Sequence, residues 1–347
     1  MGGLTLDSVG MWDAAAGLPE QVADASASFV IEHGDALPAH DDIENVVVLG
    51  MGGSGIAGDI LLAAAGPFMS VPAVVLKSYT LPAFVTDTSL VIAVSYSGNT
   101  EETVEAASEA VAAGAQLCVV SGDGELRRLA ESTGAASVPV LPGFAMPRAA
   151  IGAVAIPPLR VLETVGLFPG APQWIDNAVA QLRRRRDQLI GDKSPALELA
   201  RQIGGTIPLV HSSAGLGNAA VTRWRCEINE NAKAPAFSSV QPEICHNEIV
   251  GWGQHGDITR QLLTLVQLRH DHEHPQVMRR FDLVEDIMRE VMAGIETVHA
   301  EGEGELAQLF DLMIIGTFVS LHLADRAGID PGPIPILDSL KSQLAST

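Results

Sequence analysis

Two glycine- and serine-rich turns are where this chain of 347 residues first offers chemistry. Gly50-Met51-Gly52-Gly53-Ser54-Gly55 follows a run of valines and precedes an apolar, Ala-rich stretch. That strand–turn–helix setting leaves backbone amides free to hold an anion. Leu90 to Thr103 reads LVIAVSYSGNTEET, so a buried strand delivers the hydroxyls of Ser95, Ser97 and Thr100 to the first turn of a helix. Thr100 alone would serve as an ordinary helix cap. Three hydroxyls with free amides instead make a neutral cradle for a dianionic monophosphate, and Gly98 lets the backbone approach it closely. The candidate phosphate-binding residues are Gly53, Ser54, Ser95, Ser97 and Thr100.

The first turn also satisfies the GxGxxG dinucleotide fingerprint. An NAD site wants an acidic residue about 20 positions on, to hold the ribose. Lys77 and Ser78 stand there, which disfavours NAD and leaves an NADP-dependent oxidoreductase as an alternative. A third cluster, His270, His272 and His274 in HDHEH, alternates as zinc ligands on an extended segment would. The stretch follows a strand and enters a loop at Pro275, so no metal and no cofactor is assigned.

The elements that must position these turns are short apolar strands alternating with Ala-rich helices, the rhythm of a parallel sheet. The strand candidates are Val46–Leu49, Ala73–Leu76, Leu90–Val94 and Gln116–Val120, with a helix over Thr100–Ala113. A second series has strand candidates Ile207–His211 and Leu262–Val266. The halves are alike: VVVLGMGGSGIAGDI from Val46 and IPLVHSSAGLGNAAV from Ile207 each run a strand into a Gly/Ser turn and a helix. The division expected is residues 1–165, a connector at 166–195, and residues 196–347. Apolar residues at three- and four-residue spacing from Phe281 to Val298 predict one amphipathic helix. The run Arg183 to Arg186 reads as a solvated helix face.

Bulk properties set limits. Lys and Arg number 21 against 42 Asp and Glu, a formal charge of −21 that repels nucleic acid and anionic lipid, so any anionic ligand must be held locally. Cys118, Cys226 and Cys245 form no CxxC pair, as expected of a cytoplasmic protein, and no signal peptide is read at the start. The most apolar long segment, Leu306 to Leu323, carries Gln308, Asp311 and His322, so no membrane span is expected.

The motif SYSGNTEET after its strand, preceded by LGMGGSGIAGD, resembles the sugar-isomerase (SIS) domain. Four later segments, NENAK (Asn229–Lys233), PEICHNEI (Pro242–Ile249), EHP (Glu273–Pro275) and DPGPIPILDSLK (Asp330–Lys341), resemble the bifunctional phosphoglucose/phosphomannose isomerase family. The resemblance runs from about Asn45 to Lys341. It implies an α/β protein of two tandem SIS domains, each a doubly wound, mostly parallel sheet flanked by helices. It also implies an aldose–ketose isomerase acting on hexose 6-phosphates through a cis-enediol, with no cofactor.

On that resemblance Glu230 is the base that carries the proton between C2 and C1, and His246 and Lys341 assist ring opening. Arg148, in MPRAAIG, stabilises the enediolate, a task for which a carboxylate, imidazole and fixed cations are chemically suited. It further implies a homodimer with shared sites, His246 coming from the neighbouring subunit. Gly332 departs from the pattern, since the family often carries Thr there, and mannose 6-phosphate is the substrate this departure bears on. A sensor that binds sugar phosphate without turnover is the alternative from another class.

Overall fold

The computed structural model describes residues 3–344. The first sheet contains β1 (Asn45–Leu49), β2 (Ala73–Leu76), β3 (Ser89–Ser95), β4 (Gln116–Ser121) and β5 (Ala136–Pro139). All are parallel, in the order β2-β1-β3-β4-β5. The second contains β6 (Ile207–Ser213), β7 (Phe237–Gln241), β8 (Leu263–Arg269) and β9 (Gly294–His299), also parallel, in the order β7-β6-β8-β9. The two tandem, doubly wound α/β units expected from the sequence are therefore present.

Continuous apolar runs form these strands because both faces of each sheet are covered. All seven residues of β3 are buried, and alternation along β1 and β3 sorts them to two sides. Val46, Val48, Ile92 and Val94 face the central core, while Val47, Leu49, Val91 and Ala93 pack under the outer helices Glu101–Ala112 and Glu125–Thr133. The central core continues without a break to Val210 and Val266 of the second sheet, so the two units share one apolar interior.

Helix Glu305–Arg326 runs through that interior and packs on helices Ala171–Leu189, Leu216–Asn231 and Gly52–Ala64. It is long and apolar enough to cross a membrane, yet 89% of its most apolar window is buried inside the protein. Its Asp311 is wholly buried and accepts two bonds from Arg185, each 2.8 Å long, and one of 2.7 Å from Gln181. Arg185 therefore corrects the reading of residues 183–186 as a solvated face: helix Ala171–Leu189 lies lengthwise against the central helix and turns one arginine inward. Losing either partner would strand a buried charge, at a cost of about 3–5 kcal/mol.

The single helix expected over Phe281–Val298 is also corrected. Helix Pro275–Met288 ends before the chain enters β9 at Gly294. Ile295 and Val298 are three residues apart, so on a strand they face opposite ways: Ile295 packs in the outer cluster, Val298 in the central core.

Strand order reverses between β1 and β3 and again between β6 and β8. In open α/β sheets these reversals open a crevice at the carboxyl ends of the strands, where ligands bind. The Gly/Ser turns of the two alike halves follow β1 and β6, one at each crevice.

Candidate active site

After β1, Gly50 and Met51 lead into helix Gly52–Ala64; after β3, the loop Tyr96–Thr100 leads into helix Glu101–Ala112. Both N-termini open on the first crevice, where their partial positive charge and free amides favour an anion. The two turns brace one another. Ser54 Oγ accepts from the Tyr96 amide at 3.0 Å, and Ser97 Oγ accepts from the Asn99 amide at 3.2 Å. Thr100 occupies the N-cap position without a side-chain cap bond; its hydroxyl lies 2.9 Å from Ser95 Oγ. Gly98 sits at φ +71°, and a Cβ there would collide with the Asp123 carbonyl oxygen. At Gly53 an added Cβ would lie 2.9 Å from the Pro147 carbonyl carbon, so glycine lets the turn press against the segment that carries Arg148.

These turns form one wall of a pocket of about 510 Å³. Gly53, Ser54, Ser97 and Thr100 line it, and Arg148, Glu230 and Lys341 line it from other elements. Arg148 stands on the short turn Pro147–Ala150 and is only 4% exposed. Its Nε donates to Asn231 Oδ1 at 2.9 Å, Nη1 to Glu230 Oε2 at 3.3 Å, and Nη2 to the Pro331 and Gly332 carbonyls at 2.6 and 2.8 Å. Burial lowers its pKa, and the neighbouring Glu230 and Glu227 carboxylates oppose that shift.

Glu230 arrives from the second unit. Helix Leu216–Asn231 starts at the carboxyl end of β6 and runs back for 16 residues, about 24 Å, along helix Gly52–Ala64. Its last turn thereby reaches the first crevice rather than the second. The Glu230 side chain keeps 30% of its surface exposed, to the pocket. Lys233, at φ +53°, donates to the Glu230 and Pro331 carbonyls at 2.5 and 3.1 Å, tying the end of the helix to the segment before Lys341. Burial lowers the Lys233 pKa, with Arg148 adding to the effect.

Two candidates lie outside the pocket wall. Ser95 is fully buried beneath the loop, where its hydroxyl accepts from the Gly98 amide at 3.1 Å. His246 is exposed on the turn Glu243–His246 of the second unit. Two residues on, Glu248 is 3.2 Å from His211 Nε2; burial would raise its pKa, but hydrogen bonds from His211, Ser239 and Trp252 bring it below the usual range. Lys77, the residue that could greet an NADP phosphate, is held at 2.5 Å by Asp59.

The three HDHEH histidines have separate tasks. His270 Nε2 meets Ser213 Oγ at 2.6 Å, His272 pairs with Glu305, and His274 caps helix Pro275–Met288. Sequence reasoning passed over Asn231, Lys233 and Tyr96. The first two lie inside NENAK itself, and Tyr96 exchanges bonds of 3.0 and 2.9 Å with the Phe144 backbone to pin the loop before Arg148. It also missed Val9, whose methyl occupies the space a Cβ at Gly332 would need.

Two helix N-termini that favour an anion face a carboxylate–guanidinium pair across one crevice on paired parallel sheets, the arrangement of a double SIS-domain phosphosugar isomerase. Residues 192–344 match the bacterial phospho-glucose isomerase C-terminal SIS domain. The bifunctional phosphoglucose/phosphomannose isomerase of Caldicellulosiruptor bescii is 34% identical over 342 residues, spanning 96% of this chain and 99% of that protein. The enzyme of the same name from Aquifex aeolicus is 32% identical over 308 residues, spanning 87% and 90%. In fold, the C-terminal domain of glucosamine-fructose-6-phosphate aminotransferase from Francisella tularensis superposes with a TM-score of 0.66 at 15% identity, covering 92% of this chain and 96% of that one. The chain belongs to the bifunctional phosphoglucose/phosphomannose isomerase family.

Proposed function

We propose that the protein interconverts glucose 6-phosphate, and its C2 epimer mannose 6-phosphate, with fructose 6-phosphate by proton transfer between C2 and C1 through a cis-enediol. The observation that carries this reading is the Glu230–Arg148 pair facing the phosphate cradle within one pocket. The Gly53 amide, the Ser54 hydroxyl, and the amides and hydroxyls of Ser97 and Thr100 hold the substrate phosphate, and Ser95 supports Thr100 from behind. Glu230 removes the carbon-bound proton and returns it to the neighbouring carbon. As Glu230 becomes neutral, Arg148 is left to stabilise the charge on the enediolate oxygens. Lys341, on helix Pro335–Leu344 at the pocket wall, assists ring opening at the ring oxygen.

His246 completes ring opening from the neighbouring subunit of a homodimer. Its exposed position, away from the pocket of its own chain, supports a site shared between subunits. Three free thiols support a reducing, cytoplasmic setting.

The test is incubation with fructose 6-phosphate in deuterated water. Deuterium should enter at C1, with glucose 6-phosphate and mannose 6-phosphate appearing. Saturable binding with no exchange at C1 would reduce the protein to a sugar-phosphate sensor.

A further inference from the structure

Behind the Arg148–Glu230 pair, helix Leu216–Asn231 carries Arg223, Glu227 and Asn231 at four-residue spacing, one line along a single face. They are 3%, 1% and 0% exposed. Asn231 is the hub. Its Oδ1 accepts from Arg148 Nε at 2.9 Å, while its Nδ2 donates to Glu227 Oε2 at 2.6 Å and to Ser320 Oγ at 2.9 Å. Glu227 pairs with Arg223, whose Nη2 returns to the Arg148 carbonyl at 2.7 Å. The same helix thus holds Arg148 at both its guanidinium and its backbone.

The cluster balances two arginines, Arg148 and Arg223, against two carboxylates, Glu227 and Glu230. Glu227 matches Arg223, which leaves Glu230 to Arg148. Without the Glu227 charge, the buried Arg223 would lose its partner beside Arg148, and Asn231 would lose the carboxylate that holds its amide.

We infer that Asn231 and Glu227 are positioning residues for the isomerisation: Asn231 aims the Arg148 guanidinium, and Glu227 anchors the Asn231 amide and pairs with Arg223, so that Arg148 is held where it meets Glu230. This rests on the reading of Glu230 as the base. The charged groups facing Glu227 are Arg223 and Glu230 on its own helix and Arg148 from the turn Pro147–Ala150. Gln21 from helix Leu18–Ala27 and Thr317 from the central helix share a small cavity with it and carry no charge. Lys233, which faces Glu230, has Asp330 as a second acidic neighbour. Burial raises the Glu227 pKa, and Arg223 opposes that rise.

Glu227→Gln keeps the shape and an acceptor for Asn231 but removes the charge. In steady-state assays with fructose 6-phosphate, kcat should fall about tenfold or more with KM within about twofold, because the phosphate cradle lies on the other wall. Asn231→Asp, which sets a carboxylate against Glu227, should lose a similar factor. The double variant E227Q/N231D reverses donor and acceptor at unchanged formal charge and should recover several-fold over either single change.

Ser320→Ala removes only the outer acceptor of Asn231. As a milder probe that stays informative if a core variant does not fold, it should lower kcat about two- to threefold at unchanged KM. Wild-type kcat in Glu227→Gln would overturn the inference. So would a double variant that regains its melting temperature but not its kcat, or a Ser320→Ala enzyme with wild-type kcat. Proton exchange surviving in Glu230→Gln would instead remove the base, a failure of the underlying reading that is separable from these results.

Discussion

The two crevices grow from like sequences and end in opposite states. After β1, the turn Gly50–Gly55 leaves Gly53 and Ser54 on a pocket wall, and the neighbouring Ser97 and Thr100 join them. At the end of β6, two serine hydroxyls are consumed internally: Ser212 Oγ donates to the Leu268 carbonyl at 2.7 Å, and Ser213 Oγ meets His270 Nε2 at 2.6 Å. Glu273 then closes the mouth, accepting three bonds of 2.8–3.0 Å from Arg269 and one of 3.1 Å from the His270 amide. Ser213, His270 and Glu273 are all at most 7% exposed. A strand, a Gly/Ser turn and a helix thus supply only the possibility of an anion site. What the loop after the adjacent strand does with its own polar groups decides whether the crevice stays open. The second unit reaches the first crevice instead, placing Glu230 on its wall through the far end of the helix that its turn begins.

The largest effect should come from dividing the proposed site between chains. Glu230→Gln and His246→Ala should each lose about 10²–10⁴ in kcat. Mixing equal amounts with free subunit exchange should restore roughly a quarter of wild-type activity, since half of the dimers are mixed and each of these has one intact site of two. Exchange without recovery would place both groups in one site of one chain and undo the shared crevice.

Equivalent changes in the two turns should then give different phenotypes. Gly53→Ala, forced against Pro147, should raise KM for fructose 6-phosphate about tenfold or more by displacing the phosphate wall. Gly217→Ala, whose Cβ would strike the Ser212 side chain, should lower the melting temperature through a cost of about 1–3 kcal/mol while leaving KM unchanged. A raised KM in Gly217→Ala would show the second crevice to be in use.

The closed crevice should also be acid-labile. Burial brings the His270 pKa down from 6.5 to about 4. Between these values the unfolded chain binds a proton that the folded one refuses, so stability present above pH 6.5 declines as the pH falls toward 4. Urea unfolding should show up to about 3 kcal/mol of this loss, absent from His270→Gln. A variant with the same pH dependence as wild type would mean that His270 does not carry the effect.

The smallest effect concerns Gly332. Installing Thr there should be tolerated only together with Val9→Ala, which frees the space its Cβ needs. The double variant should change the ratio of kcat/KM for mannose and glucose 6-phosphates by about threefold, a difference of under about 1 kcal/mol. An unchanged ratio would remove Gly332 from substrate choice.

The open crevice was far more legible in the sequence than the closed one. Long buried strands such as β3 carry an unbroken apolar signal, and the hydroxyls at its end follow directly from it. Three of the four edge strands do not. β5 and β7, Ala-Ser-Val-Pro and Phe-Ser-Ser-Val-Gln, are short and half polar, and β9 borrows apolar residues that extend a helical spacing. Arg185 and Asp311 are 126 positions apart, so no local pattern announces that one arginine of four turns inward. Arg148, Glu230 and Lys341 were legible through family motifs alone, because each comes from a different element and meets the others only in three dimensions. Asn231 lay within the same motif, but its role depends on Glu227 and Arg148 being buried beside it.

The central claim, that one crevice works and the other is sealed, is tested most directly by C1 deuterium exchange on fructose 6-phosphate with Glu230→Gln and His270→Gln side by side. Glu230→Gln should bind the substrate and exchange at least about 100-fold more slowly than wild type, while His270→Gln, assayed at neutral pH, should exchange at the wild-type rate. Exchange retained by Glu230→Gln and lost in a folded His270→Gln would move the chemistry to the second crevice and contradict the account.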